Sequence, residues 1–357
     1  MAFVIYTKDD STLGIFQQTA YNTAAPAASA FIELPNAAIG IDNDVLGRRP
    51  DRSRTSVDGA SRQVDVRDIT HDTKGNSPKL IHSGDVRLAD LGYYLYGVMQ
   101  NVTEAAATPY KKIFTFPATQ PDLTAIAAVS SPGILFGVCA KHPVASTSEL
   151  ISDAIIPELT LSCAPGAGDD RLQAAKTFAG RGPLDEDFNP TGTWTRATET
   201  LFPFHNLGGF NTNFGGAVSQ NLLSYEVTIR NNAAPIGVDA NPTATGKFKS
   251  FALGMPYQAT GKFVIPYDTA ADTLLSNLST GADGTIDIWW GTEAPAATGD
   301  FKISANAVFL PGTGHQYVNG IHVIEFLWES VTDKANSVDD SLTITLCDAQ
   351  DLNWVTA

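Results

Sequence analysis

Histidine, acidic and cysteine side chains do most of the chemistry available to a protein, so their spacing is the first question this chain raises. The six histidines are scattered, and His315 and His322 are the closest pair, with Glu325 following. On a strand, residues three apart face opposite sides, so His322 and Glu325 cannot hold one ion without a bulge. We therefore expect no metal site and no cofactor. The acidic run "PLDEDFNP" lacks the Gly-centred spacing of a calcium loop and reads as a solvated linker. "PGAGDD" (165–170) and "LPGTGHQ" (310–316) are Gly-rich, but neither opens a helix that would cradle phosphate. Both are expected to be hairpin turns. HExxH, GxSxG, Walker A and GxGxxG patterns are all missing, so no enzyme activity is expected.

Cys139, Cys163 and Cys347 form no CxxC pair and lie in or beside apolar runs. Buried thiols in a reducing compartment are the expectation, with one disulfide plus a spare as the other reading. Trp289, Trp290 and Trp328 would give a carbohydrate-binding module a stacking platform; the plainer reading puts some of these indoles in a core. One charge feature stands out. "LGRRPDRSR" packs Arg48, Arg49, Arg52 and Arg54 into an otherwise acidic chain. It is either a solvated loop, a nucleic-acid contact or a docking loop whose guanidinium forks pair with carboxylates of a neighbouring copy. We favour docking.

The elements around these residues are mostly strands. "YEVTIRN", "TIDIWWG" and "SLTITLC" alternate apolar and polar residues, the mark of antiparallel sheets with one buried face. Two stretches switch to helical spacing. Leu88, Leu91, Tyr94, Leu95 and Val98 share one face, as do Ala271, Leu274, Leu275 and Leu278. In the second, Thr269 with Asp272 is the expected N-terminal cap. Each helix follows a Gly-marked strand, Gly84 in one and Gly261 in the other, about half the chain apart. Element order then runs in parallel, with "IPELTLSC" matching "GIHVIEFLWE" and "RLQAAKTFAG" matching "DSLTITLCDA". This suggests a duplication.

The expected fold is mainly β with a few helices: two tandem β-sandwiches, each with a flanking α-helix. Residues 1–39 read as an extended arm, 40–180 as the first sandwich, 181–215 as an irregular connector and 216–357 as the second sandwich. At 357 residues each half can bury a core. A formal net charge of −15 argues against a tight, general nucleic-acid binder, since phosphate neutralisation needs surplus Lys and Arg. "MAFVIYTKDD" is too short for the apolar region of an export signal, and the uncharged run Ser11 to Ile32 contains Pro26 and amides, so no membrane span is expected.

The runs "GDVRLADLGYYLYGVMQ", "YKKIFTFPATQPDLTAIAAVSSPGILFGVCAKHPVAST" and "IIPELTLSCAPGAGDDRLQAAKTFAG" resemble the tail tube proteins of long-tailed bacteriophages. So do "LLSYEVTIRNN" and "GKFKSFALGMPYQATGKFVIPYDTAADTLLSNL". The resemblance covers roughly residues 40 to 345 and rests on the order of elements rather than on invariant motifs. It implies a structural, non-enzymatic subunit that stacks in rings as a hollow tube through which DNA passes without specific binding. It further implies a virion location after assembly in the host cytoplasm. The partners it implies are the chain itself and other tail proteins (tape measure, terminator, initiator complex), with no membrane. Some members carry two tube folds per chain and close as trimers of pseudo-sixfold symmetry, which we favour here over hexamers of chains.

The dimensions of such a tube are reasonable. Six folds of about four strands, spaced about 4.8 Å and tilted about 45°, give a circumference of roughly 160 Å and a diameter of about 50 Å. A negative lumen would let DNA slide. The helices would pack on the sheet through Leu91, Leu95 and Val98 and through Leu274, Leu275 and Leu278. The Arg-rich loop and the N-terminal arm would contact the next ring. A tail terminator or head decoration protein is the alternative, and a carbohydrate-binding module a more distant one.

Overall fold

Alternation sets the layers. In Ser224–Arg230, Tyr225, Val227 and Ile229 are buried, while Glu226, Thr228 and Arg230 are partly exposed. The computed structural model describes residues 12–18, 31–34, 51–54, 69–72, 79–105, 109–117, 135–141, 148–165, 170–180, 185–196, 202–214, 217–219, 221–238, 248–252, 257–281, 283–332 and 341–349. Among them are twenty-three strands and two α-helices, so the fold is a β-rich α+β fold.

The first layer is a continuous antiparallel sheet. Its strands, in spatial order, are Lys79–Asp85, Gln173–Ala179, Ser148–Cys163, Ser224–Arg230, Gln258–Pro266, Ile321–Ser330 and Gly314–Val318. The second layer runs Ala217–Ser219, Leu207–Asn213, Asp283–Trp290, Phe301–Phe309, Leu342–Asp348, Tyr110–Thr115 and Val102–Glu104. The two join where Ala307–Phe309 pairs with Trp328–Ser330. Phe210 and Phe309 from the second layer pack against Phe263 and Phe326 of the first, with ring centroids 5.0 to 6.1 Å apart.

The two expected halves interleave. Tyr225 pairs with Cys163 and Leu346 with Lys112, so strands from each half complete the sheet of the other. One hydrophobic cluster contains Leu95 and Leu161 as well as Ile288 and Ile344.

The first helix, α1 (Leu88–Met99), lies among strands of both halves: Ser148–Cys163, Ser224–Arg230, Tyr110–Thr115 and Leu342–Asp348. Leu91, Tyr94, Leu95 and Val98 are buried as expected, but so are Tyr96, Gly97 and Met99. The one-face spacing understated its cover, because strands distant in sequence close over its other side. No side chain caps its N-terminus at Arg87, so tertiary packing rather than local chemistry holds it. The second helix, α2 (Thr269–Thr280), is the converse. Asp268, not Thr269, is its N-cap, accepting from the Ala271 N–H at 2.9 Å, and Gly281 ends it in a left-handed conformation. Ala271 and Leu274 are buried, whereas Leu275 and Leu278 are only half-buried.

Three segments differ from expectation. The N-terminal stretch is not simply an arm: Thr12–Gln17 pairs along its whole length with Phe136–Lys141, burying Leu13 and Ile15. The connector carries Leu207–Asn213, because Trp289 lies flat against its backbone. A Cβ on Gly209 would stand 2.3 Å from that ring. The element matching also shifts. Gln173–Ala179 and Ile321–Ser330 each pair with the strand that precedes a helix, so these two are spatial equivalents. Ser148–Cys163 therefore corresponds in place to Gly314–Val318 rather than to the run beginning at Gly320.

The long strand Ser148–Cys163 changes partners at a bend. Its first half pairs with Phe136–Lys141 and its second with Gln173–Ala179. Asp153 sits there at φ 51, a left-handed conformation unusual for an acidic residue in a strand, and Gln18 Nε2 donates to its carboxylate at 2.8 Å.

Candidate assembly surface

The outward face of the first layer is a ladder of polar pairs. Arg230 Nε donates to Glu158 at 2.7 Å, and Lys262 stands 3.7 Å from Glu226. Arg171 meets Asp85 at 3.0 Å, and the Thr160 and Thr228 hydroxyls lie 2.9 Å apart. Glu329 and Glu325 take amide donors instead, from Gln258 at 2.7 Å and Gln316 at 3.2 Å. Each of these three cations is matched by a carboxylate, and two carboxylates remain over. Of the charges on this face, the three cations named are paired and the carboxylates are in excess, while Lys79 stands exposed at the far edge.

Among the described residues this sheet has two edges, Lys79–Asp85 at one end and Gly314–Val318 at the other. The second is paired on one side only, with Ile321–Ser330. It is exposed and mixes polar His315 and Gln316 with uncovered apolar side chains: Tyr317 is 75% exposed, Val318 44%, and Ile321 across the turn 55%. An exposed strand of this kind is a template for pairing with another chain. Its signal in the sequence is the Asn319–Gly320 pair. Asn319 and Gly320 both have positive φ (51° and 79°), the two-residue turn that Asn-Gly specifies. "LPGTGHQ" is a turn but not a hairpin, since the strands on either side of it both pair with Ile321–Ser330 and not with each other. "PGAGDD" does link two strands that pair, although residues 166–169 lie outside the described residues.

Arg48 and Arg49 lie outside the described residues. Arg52 and Arg54 fall on Asp51–Arg54, a short strand paired with Ile69–Asp72, so this part of the expected loop is a strand. Leu91, Leu95, Val98 and Leu274 are core, Leu275 packs against it and Leu278 is half-buried.

Trp290 and Trp328 are buried in the core, so the three indoles form no exposed platform. The three thiols are buried and in no disulfide. Cys163 lines a shallow cleft of about 360 Å³ with Ser162, Gln173, Tyr225, Glu226 and Lys262. Burial pushes its thiol up to about 12, a backbone N–H from Tyr225 offsetting only part, so it supplies no thiolate nucleophile at neutral pH. Among the described residues no group of three His, Cys, Asp or Glu side chains is placed to hold a metal, and no helix is long and apolar enough to cross a membrane.

No protein-family model matches this chain, and no curated protein matches it.

Proposed function

We propose that the chain is a structural subunit of a bacteriophage tail tube, self-assembling into stacked rings around a channel for DNA. The observation that carries this reading is the repeated strand order in one sheet. The strand preceding a helix, then the second strand of a connected pair, then the first, occurs as 79–85, 173–179, 148–163 and again as 258–266, 321–330, 314–318. Inside the chain, Ser224–Arg230 pairs with the last strand of the first set. At the end of the second set the equivalent position is open among the described residues. A second copy fills it in the proposed ring, which removes the exposed edge by closure.

The polar ladder then faces the lumen, and the two strand sets per chain make a trimer the favoured ring, with a hexamer of chains as the alternative. Arg48, Arg49, Arg52 and Arg54 are assigned to ring-to-ring docking. The subunit acts in the virion tail beside tape measure, terminator and initiator proteins.

Negative-stain electron microscopy of concentrated protein tests this. Hollow filaments with six-lobed, three-fold end views are expected, and Val318→Lys with Ile321→Lys should abolish them. Closed single rings would favour a terminator or decoration protein instead. Monomers at every concentration, unchanged by seeding with preformed tail tips, would refute the reading.

A further inference from the structure

The hairpin that forms the free edge carries a feature independent of any ring. His315 Nδ1 and His322 Nε2 lie 3.0 Å apart across two neighbouring strands, their ring centroids 5.0 Å apart. Tyr317 stacks on His322 at 5.0 Å with an interplanar angle of 16°. Tyr267 packs against both imidazoles, 5.2 Å from His315 and 4.6 Å from His322. The rings are thus held by aromatic neighbours on strands fixed by a tight turn, and remain open to solvent.

We propose that His315 and His322 form a two-imidazole site for a divalent late first-row transition ion, Cu²⁺ or Ni²⁺ ahead of Zn²⁺. Metal–imidazole bonds of about 2.0–2.1 Å meeting near a right angle put their nitrogens about 3.0 Å apart. That bite suits the square or octahedral preference of Cu²⁺ and Ni²⁺, while a tetrahedral angle needs about 3.3 Å. Neutral imidazole is the ligand form, and water completes the coordination. Glu325 is not a ligand: it lies on the opposite face of its strand and accepts from Gln316. Asp272 is engaged by the Tyr267 hydroxyl at 3.4 Å. The bound ion staples the edge strand to its neighbour.

The test is titration of Cu²⁺ and of Ni²⁺ into the full chain at mildly alkaline pH, because metal binding to imidazole competes with protons. Calorimetry reads both ions and electron paramagnetic resonance reads Cu²⁺. One equivalent should bind, with two imidazole nitrogens coupled to the Cu²⁺ signal. Affinity should fall by about tenfold or more in His315→Ala and in His322→Ala. The circular dichroism of both variants should match the parent, since the site is on the surface. The ion should also raise the melting temperature of the parent but not of the double variant. Isotherms that are the same in parent and double variant, or fewer than two coupled imidazole nitrogens, would overturn the proposal. Neither outcome depends on whether the protein forms tubes.

Discussion

Lys112 and Asp348 offer the sharpest test of how this chain is put together. Lys112 lies on Tyr110–Thr115 and Asp348 at the end of Leu342–Asp348, strands paired with Lys112 opposite Leu346. Nζ approaches the two carboxylate oxygens at 2.5 and 2.6 Å, and the side chains are 0% and 3% exposed. Both charges are taken out of water in direct contact with each other. Lys112→Met should therefore cost about 3–5 kcal/mol, and so should Asp348→Ala, because each removes the opposite charge that a buried group contacts. Lys112→Met combined with Asp348→Leu removes both charges and fills similar volume. It should recover most of the loss and leave stability within about 1–2 kcal/mol of the parent, or above it. Urea unfolding followed by tryptophan fluorescence reads these values as shifts in midpoint at constant slope. If each single variant cost under about 1 kcal/mol, the pair would behave like a solvated surface bridge. The reasoning that places the last strand inside the core beside the first half would then fail.

Further predictions rest on other contacts. Asn231 is buried, donates to the carbonyls of Val98 and Ile156 at 3.1 and 2.9 Å, and accepts from the Ala233 N–H at 3.0 Å. Asn231→Ala orphans all three and should cost about 2–4 kcal/mol by the same urea assay. Burial pushes the Lys176 amine down to about 7, Asp90 opposing with a smaller upward pull. An unfolded lysine titrates near ~10.4, so between pH about 7 and about 10 the unfolded chain holds the extra proton. Stability should rise with pH across that window, by up to ~1.4 kcal/mol per unit, and Lys176→Gln should remove the rise. Above about 10 the trend should reverse, since burial holds Tyr94 and Tyr225 well above their ordinary values. Although burial alone would raise Asp300, donors from Ala296, Ala297 and Thr292 hold its carboxyl below the usual range. Its contribution should thus be present above about pH 4 and lost on further acidification, a loss that Asp300→Asn should abolish. Finally, the interleaved core predicts one cooperative unfolding transition by calorimetry; two resolved transitions would show independent halves.

Much of the fold was legible because strand alternation is local. Ser224–Arg230, Asp283–Trp290 and Leu342–Asp348 bury the residues their period-two pattern selects. Both helices were visible for the same reason, at their 3.6-residue period. What the pattern did not reveal is which strand lies beside which. Tyr225 opposite Cys163 depends on a long-range register that neither segment encodes alone. Leu13 and Ile15 were hidden by Ala- and Thr-rich flanks, and Leu207–Asn213 by glycines that suggest a loop. Those glycines instead make room for Trp289. Of the candidate surface, the acidic excess was plain from composition, but the edge strand was not. Its only local marker is Asn319–Gly320, which lies between two runs that alternate weakly.

The contrast between the helices bears on what the open edge is for. Both are twelve residues long and both follow a strand of the first layer, yet local chemistry and cover are distributed oppositely. The first helix has no side-chain cap and is enclosed, because Ser148–Cys163 and Ser224–Arg230 meet beneath it and strands of the second layer close over it. The second is capped at both ends and leaves Leu275 and Leu278 half-exposed. A helix that must stand before its partner arrives needs its own caps; one that folds into a finished junction does not. In the proposed ring, the second helix and the Gly314–Val318 edge are the same junction with its other half missing. A copy docking there would bury the remaining leucine surface and pair the edge in one step. Leu275→Lys should then weaken assembly while costing the isolated chain no more than about 1 kcal/mol, as expected for a side chain only half-buried in the monomer. A loss of monomer stability several times larger, with assembly unchanged, would mean that the helix face belongs wholly to the chain's own core.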